Sequence, residues 1–238
     1  MKRWGHMAKT FTKIGKEITI AVKQGGPDVV GNSRLRALMA EARSENMPKD
    51  NVEKAIKRAL EKNQGDFKEV VFEGYGPHGI AYLVETATDN NTRTVANVRS
   101  YFTKCGGSLG TSGSVSFMFD HKCVFRIKYQ EGMDIDELQL ALCDCDDDPE
   151  VFIEEQEDKD ENITKNVVIY GAYESYGAIQ KYIEDNGYEL VSGGFERIPN
   201  VDLKDVTPEQ RETLDKLTGL LEDDDDVTNV YNTLKPAE

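Results

Sequence analysis

No stretch of this 238-residue chain approaches the roughly 18 consecutive apolar residues that a membrane-spanning helix requires, so no membrane partner is expected. Histidine is scarce. His6, His78 and His121 are the only three, and none stands beside a Ser or Cys and an acid in a recognisable nucleophilic arrangement. Cysteine is scarce too: Cys143 and Cys145 lack the second pair a structural zinc site needs. With Cys105 and Cys123, and without a secretory leader, they are expected to be free thiols in a reducing, cytoplasmic setting. Asp144, Asp146, Asp148 and Glu155 fall at calcium-loop spacings, but Pro149 stands where that loop needs glycine. The Gly110-Thr-Ser-Gly113 segment lacks the lysine of a phosphate-binding loop and reads as a flexible loop. Gly74-Tyr-Gly76-Pro-His-Gly79 has dinucleotide-site spacing, yet a strand follows it where a helix is required, so a hairpin turn is expected. The run Asp223–Asp226 reads as a solvated acidic turn. No catalytic residue, metal or cofactor is expected.

Charge is plentiful and unevenly placed. The net charge is −15. Residues 1–62 hold 14 Lys/Arg against 7 Asp/Glu, residues 63–120 hold 4 against 6, and residues 121–238 hold 11 against 31. A basic head on an acidic body results. Binding answers to the local field within about 8–10 Å at physiological salt, so the negative sum does not exclude a nucleic-acid partner.

The head reads as three short amphipathic helices. Over Lys9–Lys23, at 100° per residue, Lys9, Lys13, Lys16 and Lys23 share an arc of roughly 80°, opposite Phe11, Ile14, Ile18, Ala21 and Val22. A solvated face is the competing reading of that stripe. Gly25-Gly-Pro-Asp28 stops the helix. A second helix over Ser33–Asn46 carries Arg34 and Arg36; a third follows Pro48 with Val52, Ala55, Ile56, Ala59 and Leu60 inward. Lys49, Lys54, Lys57 and Arg58 also belong to this third segment. Asn63–Asp66 is the expected linker.

Val70–Phe119 then reads as strand, glycine turn, strand, helix, glycine loop, strand. Asn90 or Asn91 caps the helix, Val95, Val98 and Phe102 form its apolar face, and Gly106-Gly107 ends it. Ser114–Phe119 alternates Val115, Phe117 and Phe119, which predicts a half-buried strand. Beyond it the order strand, helix, strand, strand, helix, strand is that of a ferredoxin-like βαββαβ unit. A final helix, with Thr207 as cap, Pro208 and Gln210 in a capping box, and Leu214, Leu217 and Leu221 apolar, leads to a last strand from Val227. That tail has no partner of its own and would complete the unit of residues 67–120.

Several blocks carry a resemblance. Phe11-Thr-Lys13, Gly25-Gly-Pro-Asp28, Arg34-Leu-Arg36, Asn46-Met-Pro-Lys-Asp-Asn51 and Ala55-Ile-Lys-Arg58 resemble the YebC family. So do Glu73-Gly-Tyr-Gly-Pro77, Thr88-Asp-Asn90 with Arg93-Thr94, Val98-Arg99, Lys104-Cys-Gly-Gly107, Leu109-Gly110, Gly113-Ser-Val115, and the tail with Leu221-Glu222, Asp226-Val227 and Val230-Tyr231. The resemblance implies a three-domain protein without known catalytic residues. It also implies a bacterial DNA-binding transcriptional regulator, while mitochondrial relatives act as translational activators.

The expected fold is α+β, in three parts: a basic helical domain (1–66), a central split α+β domain (67–120 plus 203–238), and an inserted ferredoxin-like acidic domain (121–202). The expected function is a non-enzymatic nucleic-acid-binding regulator of gene expression. Its target is DNA or, alternatively, RNA on the ribosome, and the acidic body is left to dock a ribosomal or other protein partner. The residues expected to bind are Lys9, Lys13, Lys16, Lys23, Arg34, Arg36, Lys49, Lys54, Lys57 and Arg58. No aromatic–basic sheet signature of an RNA-recognition motif and no base-reading recognition helix appears, so backbone contact is favoured over sequence readout.

Overall fold

A computed structural model describes residues 2–61, 66–157 and 163–237; most of the expected linker lies outside them. Helices α1 (Lys2–Gly25), α2 (Ser33–Ser44) and α3 (Lys49–Leu60) come first. Strands β1 (Lys68–Tyr75) and β2 (Ala81–Thr88), helix α4 (Asn91–Lys104) and the short β3 (Ser108–Leu109) follow. Next come β4 (Phe119–Lys128), α5 (Ile135–Leu142), β5 (Glu150–Glu157), β6 (Ile163–Ala172), α6 (Tyr176–Asp185) and β7 (Leu190–Pro199). Helix α7 (Pro208–Glu222) and strand β8 (Val227–Asn232) close the chain. The fold is mixed α+β, with an N-terminal helical region and two antiparallel sheets.

The chain packs as two compact units, one of residues 1–20, 57–120 and 197–238, the other of residues 21–56 and 121–196. The division falls inside α1, α3, β4 and β7.

In the first unit the sheet order is β3-β1-β2-β8. The β1–β2 hairpin is in register from Lys68↔Thr88 to Tyr75↔Ala81, and β8 pairs antiparallel with β2. The tail therefore completes the central sheet, as its lack of a local partner required. Alternation along β2 feeds two cores. Tyr82 and Val84 face Val98, Phe102, Leu214, Leu217 and Leu221, while Ala81 and Leu83 face Val115 and Phe119. Asn90 is the α4 cap, its side chain accepting from the Arg93 N–H at 3.1 Å. The capping box at Thr207 and Gln210 forms. Gly74 is dictated by packing: a Cβ there would lie 2.7 Å from the Ser108 carbonyl and 3.0 Å from the Phe102 ring.

In the second unit the sheet order is β5-β6-β4-β7, the ferredoxin-like arrangement. Phe125, Ile127, Val167 and Ile169 pack under Leu138 and Leu142 of α5 and Ile179 and Ile183 of α6, with Ala37 of α2 in the same core. Asn32 fastens the α1–α2 turn. Its oxygen caps the Leu35 N–H, and its amide donates to the carbonyls of Ala21 and Gly26 at 2.8 and 2.9 Å.

Three expectations fail locally. Ser114–Phe119 is not a strand: Ser116–Met118 forms a single 3-10 turn and β4 begins at Phe119. Val115 and Phe119 are buried, but Phe117 is 66% exposed. The reason is Glu73, whose carboxylate accepts from three amides here and bends the backbone away from extension. The apolar face of α3 is thinner than its pattern: Ala55 alone is fully buried, and Leu60 is 58% exposed. The acidic run at 223–226 is solvated only in part: Asp223 and Asp225 are exposed, but Asp224 is half-buried and Asp226 is buried.

Candidate nucleic-acid interface

The lysine stripe of α1 forms as its spacing dictates, with Ile14, Ile18, Ala21 and Val22 buried opposite. Its polar face is not open to solvent throughout. Lys9 donates to Asp223 at 2.6 Å. Lys13 reaches the Glu222 carbonyl at 3.3 Å, and burial holds its pKa below the ordinary lysine value. Lys16 is 11% exposed and donates three times: to Asp226 at 2.8 Å, to the Asp225 carbonyl at 2.7 Å, and to the Ala87 carbonyl at 3.1 Å. The α1 lysines are thus seated on the turn between α7 and β8.

Asp226 is the centre of that seat. Its side chain is 7% exposed. One oxygen takes Lys16; the other takes Arg93 through Nη2 at 2.6 Å and Nε at 3.2 Å, and the Thr94 hydroxyl at 2.9 Å. Thr88 completes the group at 3.3 Å. Burial alone would raise the carboxyl pKa, but the Lys16, Arg93 and Thr94 hydrogen bonds outweigh it and hold the group down at about 2. Two residues earlier, Asp224 accepts from Asn97 at 3.1 Å and from the Tyr101 hydroxyl at 2.9 Å. Burial and that carboxylate push Tyr101 up to about 12. The Thr88-Asp-Asn90, Arg93-Thr94 and Asp226-Val227 blocks, distant in sequence, therefore meet at one buried carboxylate.

A second convergence lies at Glu73. Its carboxylate accepts the backbone N–H groups of Gly113, Val115 and Ser116, each at 2.8 Å. Burial would raise its pKa; the three amides and the Ser116 hydroxyl reverse this and lower it. The Gly110–Ser114 segment, expected to be flexible, is hooked to β1. Sequence reasoning missed both acids as organising groups. Glu73 carried a signal, an acid directly after the apolar run Val70-Val71-Phe72, whereas Asp226 closes an acidic run and nothing local set it apart.

The other expected binding residues divide. Arg36 is committed within its own unit, with Glu184 at 2.8 Å and the Val29 and Val30 carbonyls at 2.8 and 2.6 Å. Arg34 donates to Gln24 at 3.2 Å. Arg58 lies 4.4 Å over the Phe67 ring. Lys23 is exposed. Lys49, Lys54 and Lys57 are exposed on α3, Lys49 with only a loose 3.7 Å pair to Glu53 one turn on. The strand face that RNA-recognition motifs use is occupied by the chain's own groups: Arg126 is shared by Glu154 and Glu196, and Tyr170 donates to Glu196 at 2.6 Å. Among the described residues no group of three or more His, Cys, Asp or Glu is placed to hold a metal ion, and no helix is long and apolar enough to cross a membrane.

The fold and these knots define an α+β protein organised by buried acids and carrying a basic helical segment. The chain belongs to the TACO1/YebC family. Residues 1–62 match the TACO1/YebC protein N-terminal domain, and residues 67–234 match the TACO1/YebC second and third domain. It is 59% identical to a "Probable transcriptional regulatory protein" of Parabacteroides distasonis over 98% of this chain and 92% of that one. It is 58% identical to one of the same name from Bacteroides thetaiotaomicron, over 100% and 93%. The crystal structure of a conserved hypothetical protein from Aquifex aeolicus superposes with a TM-score of 0.77 at 32% identity, covering 97% of this chain and 91% of that one.

Proposed function

We propose that this protein is a non-enzymatic, cytoplasmic regulator of gene expression that binds DNA through its phosphate backbone. The observation that carries the reading is the exposed lysine set of α3, Lys49, Lys54 and Lys57, in the one net-positive segment of the chain. The names of the relatives agree with the regulatory part of this reading. Lys23 and Arg34 are secondary contacts in this reading. Lys9, Lys13, Lys16 and Arg36 serve chiefly to seat the chain on its own carboxylates and carbonyls. Phosphate contacts of this kind position a protein without specifying sequence.

A second reading, binding RNA on the ribosome, is favoured by one observation. Seating three α1 lysines on the 222–226 turn leaves few cations for naked duplex, and the chain carries −15 overall. A ribosome would supply protein surface as well as phosphate.

The test is a DNA shift assay beside co-sedimentation with ribosomes, with and without nuclease, at matched salt. The triple variant K49E/K54E/K57E should fold as the parent does, since exposed substitutions change stability by under about 0.5 kcal/mol each. Its log–log salt slope on duplex DNA should flatten by about 2.7. An unchanged slope on DNA together with unchanged sedimentation would remove α3 from the mechanism. Loss of sedimentation with DNA binding intact would establish the second reading over the first.

A further inference from the structure

We propose that the outer edge of β5 is a docking site for an extended, basic segment of a protein partner, which adds to the sheet as a fifth strand. This is a surface separate from the lysines of α3 and does not depend on their role.

Strand β5 ends the sheet, and among the described residues nothing pairs with its outer side. It is eight residues long and fully in register with β6, from Glu150↔Tyr170 to Glu157↔Ile163. Its outward backbone groups are therefore held straight and pre-spaced for a further ladder. An exposed edge of this length is a template for strand addition unless something blocks it. The usual blocks are a proline, a bulge or a covering element; β5 contains no proline, and its pairing with β6 runs without interruption.

The side chains say which strand fits. Phe152 is 43% exposed, stacked on Tyr170 on one face, and Ile153 is 40% exposed on the other. An incoming strand would cover both, since side chains on opposite sides of a strand alternate. Around this apolar step the charge is of one sign. Residues 150–161 carry seven Asp/Glu and one Lys, and residues 121–196 carry 20 against 6. Glu150, Glu154 and Glu155 are partly paired with Lys122, Arg126 and Lys165, but these are surface pairs that leave the regional field negative. A second copy of β5 would bring like charges edge to edge and is rejected. Nucleic acid is rejected on the same ground. A strand with apolar residues opposite Phe152 and Ile153 and lysine or arginine opposite the glutamates is complementary.

The experiment uses the full chain and two fluorescein-labelled peptides of equal charge: one with two adjacent valines between pairs of lysines, and one in which proline replaces both valines. Fluorescence anisotropy at physiological salt should show binding of the valine peptide at least tenfold tighter than the proline peptide, because two consecutive prolines remove a ladder donor from either edge. Addition of the valine peptide should slow amide hydrogen exchange within residues 150–157. The variant I153K/E155K should bind the valine peptide at least tenfold more weakly. The exchange measurement on the unaltered protein keeps the test independent of how that variant folds. Equal binding of both peptides would reduce the site to diffuse charge and overturn the proposal. So would absent binding, or protection confined to residues outside 150–157.

Discussion

At the scale of single residues the chain is governed by carboxylates placed where burial should penalise them. Asp226 tolerates burial because Lys16, Arg93, Thr94 and Thr88 satisfy both its oxygens. Removing one member of such a group leaves a buried charge short of partners, a loss of about 3 kcal/mol. Lys16→Ala should therefore lower the melting temperature sharply. Lys9→Ala, on the exposed pair with Asp223, should cost under about 1 kcal/mol. Equal melting temperatures for the two variants would refute the distinction between a seating lysine and a surface one. The depressed Asp226 pKa gives a sign as well: the stabilisation is complete above the ordinary Asp value and is lost as pH falls towards about 2.

Glu41 is the opposite case. Burial first, and the neighbouring Glu45 second, raise its pKa to about 7, against the pull of Arg126. Between about pH 4 and 7 the unfolded chain has lost a proton that the folded chain still holds, so stability falls as pH rises through that window. Above it both states are ionised and the deficit is constant. Glu41→Gln should be more stable than the parent at pH 8 and nearly equal to it at pH 4, as read by urea unfolding at the two pH values. A gain of the same size at both would show that the substitution acts through packing and not through charge.

At the scale of elements, local rules account for most of what formed, and the long-range hydrogen bonds of one carboxylate account for the strand that did not. Asn90, Thr207 and Asn32 act as caps because each side-chain oxygen meets an orphan amide three residues on. The alternation of Val115, Phe117 and Phe119 predicted a strand, yet the Glu73 carboxylate took the amides of Gly113, Val115 and Ser116 and made a turn. Charge-assisted bonds of this kind are worth about 1.5–3 kcal/mol each, more than the strand preference of six residues. Glu73→Gln keeps the shape with one acceptor oxygen and should cost about 2 kcal/mol. Hydrogen exchange at Gly113, Val115 and Ser116 should speed up while that of β2 holds. Unchanged protection at those amides would mean that the turn is fixed by Val115 and Phe119 burial alone.

At the scale of the whole molecule, the tail belongs to the core. Leu214, Leu217, Leu221 and Val227 are fully buried against residues from β1, β2 and α4, and β8 closes the sheet beside β2. Three buried leucines alone represent roughly 5–9 kcal/mol, comparable with the entire stability of an ordinary domain. Deleting residues 207–238 should therefore abolish the cooperative thermal transition of the sheet formed by β1, β2 and β3. A truncated chain that melts with the parent would show the tail to be an appendage.

The amino-acid pattern by itself determined the helices of the head, the β1–β2 hairpin and the ferredoxin-like order of residues 121–199; of the tail it showed that no local partner exists. These depend on periodicity, caps and glycine stops, all of which act between residues a few positions apart. It also placed four lysines on one face of α1. What that face touches was beyond its reach, because Lys16 and Asp226 lie 210 positions apart and nothing local to either marks the other. Only the tertiary structure decided that Lys9, Lys13 and Lys16 of α1 face an acidic turn while the lysines of α3 stay exposed. The physical reason is that a carboxylate such as Asp226 is soluble in a free turn and, when fully hydrogen-bonded, stable in a buried one. Which occurs depends on whether folding delivers enough donors to both oxygens: Lys16 of α1 serves one, and Arg93 and Thr94 of α4 with Thr88 of β2 serve the other.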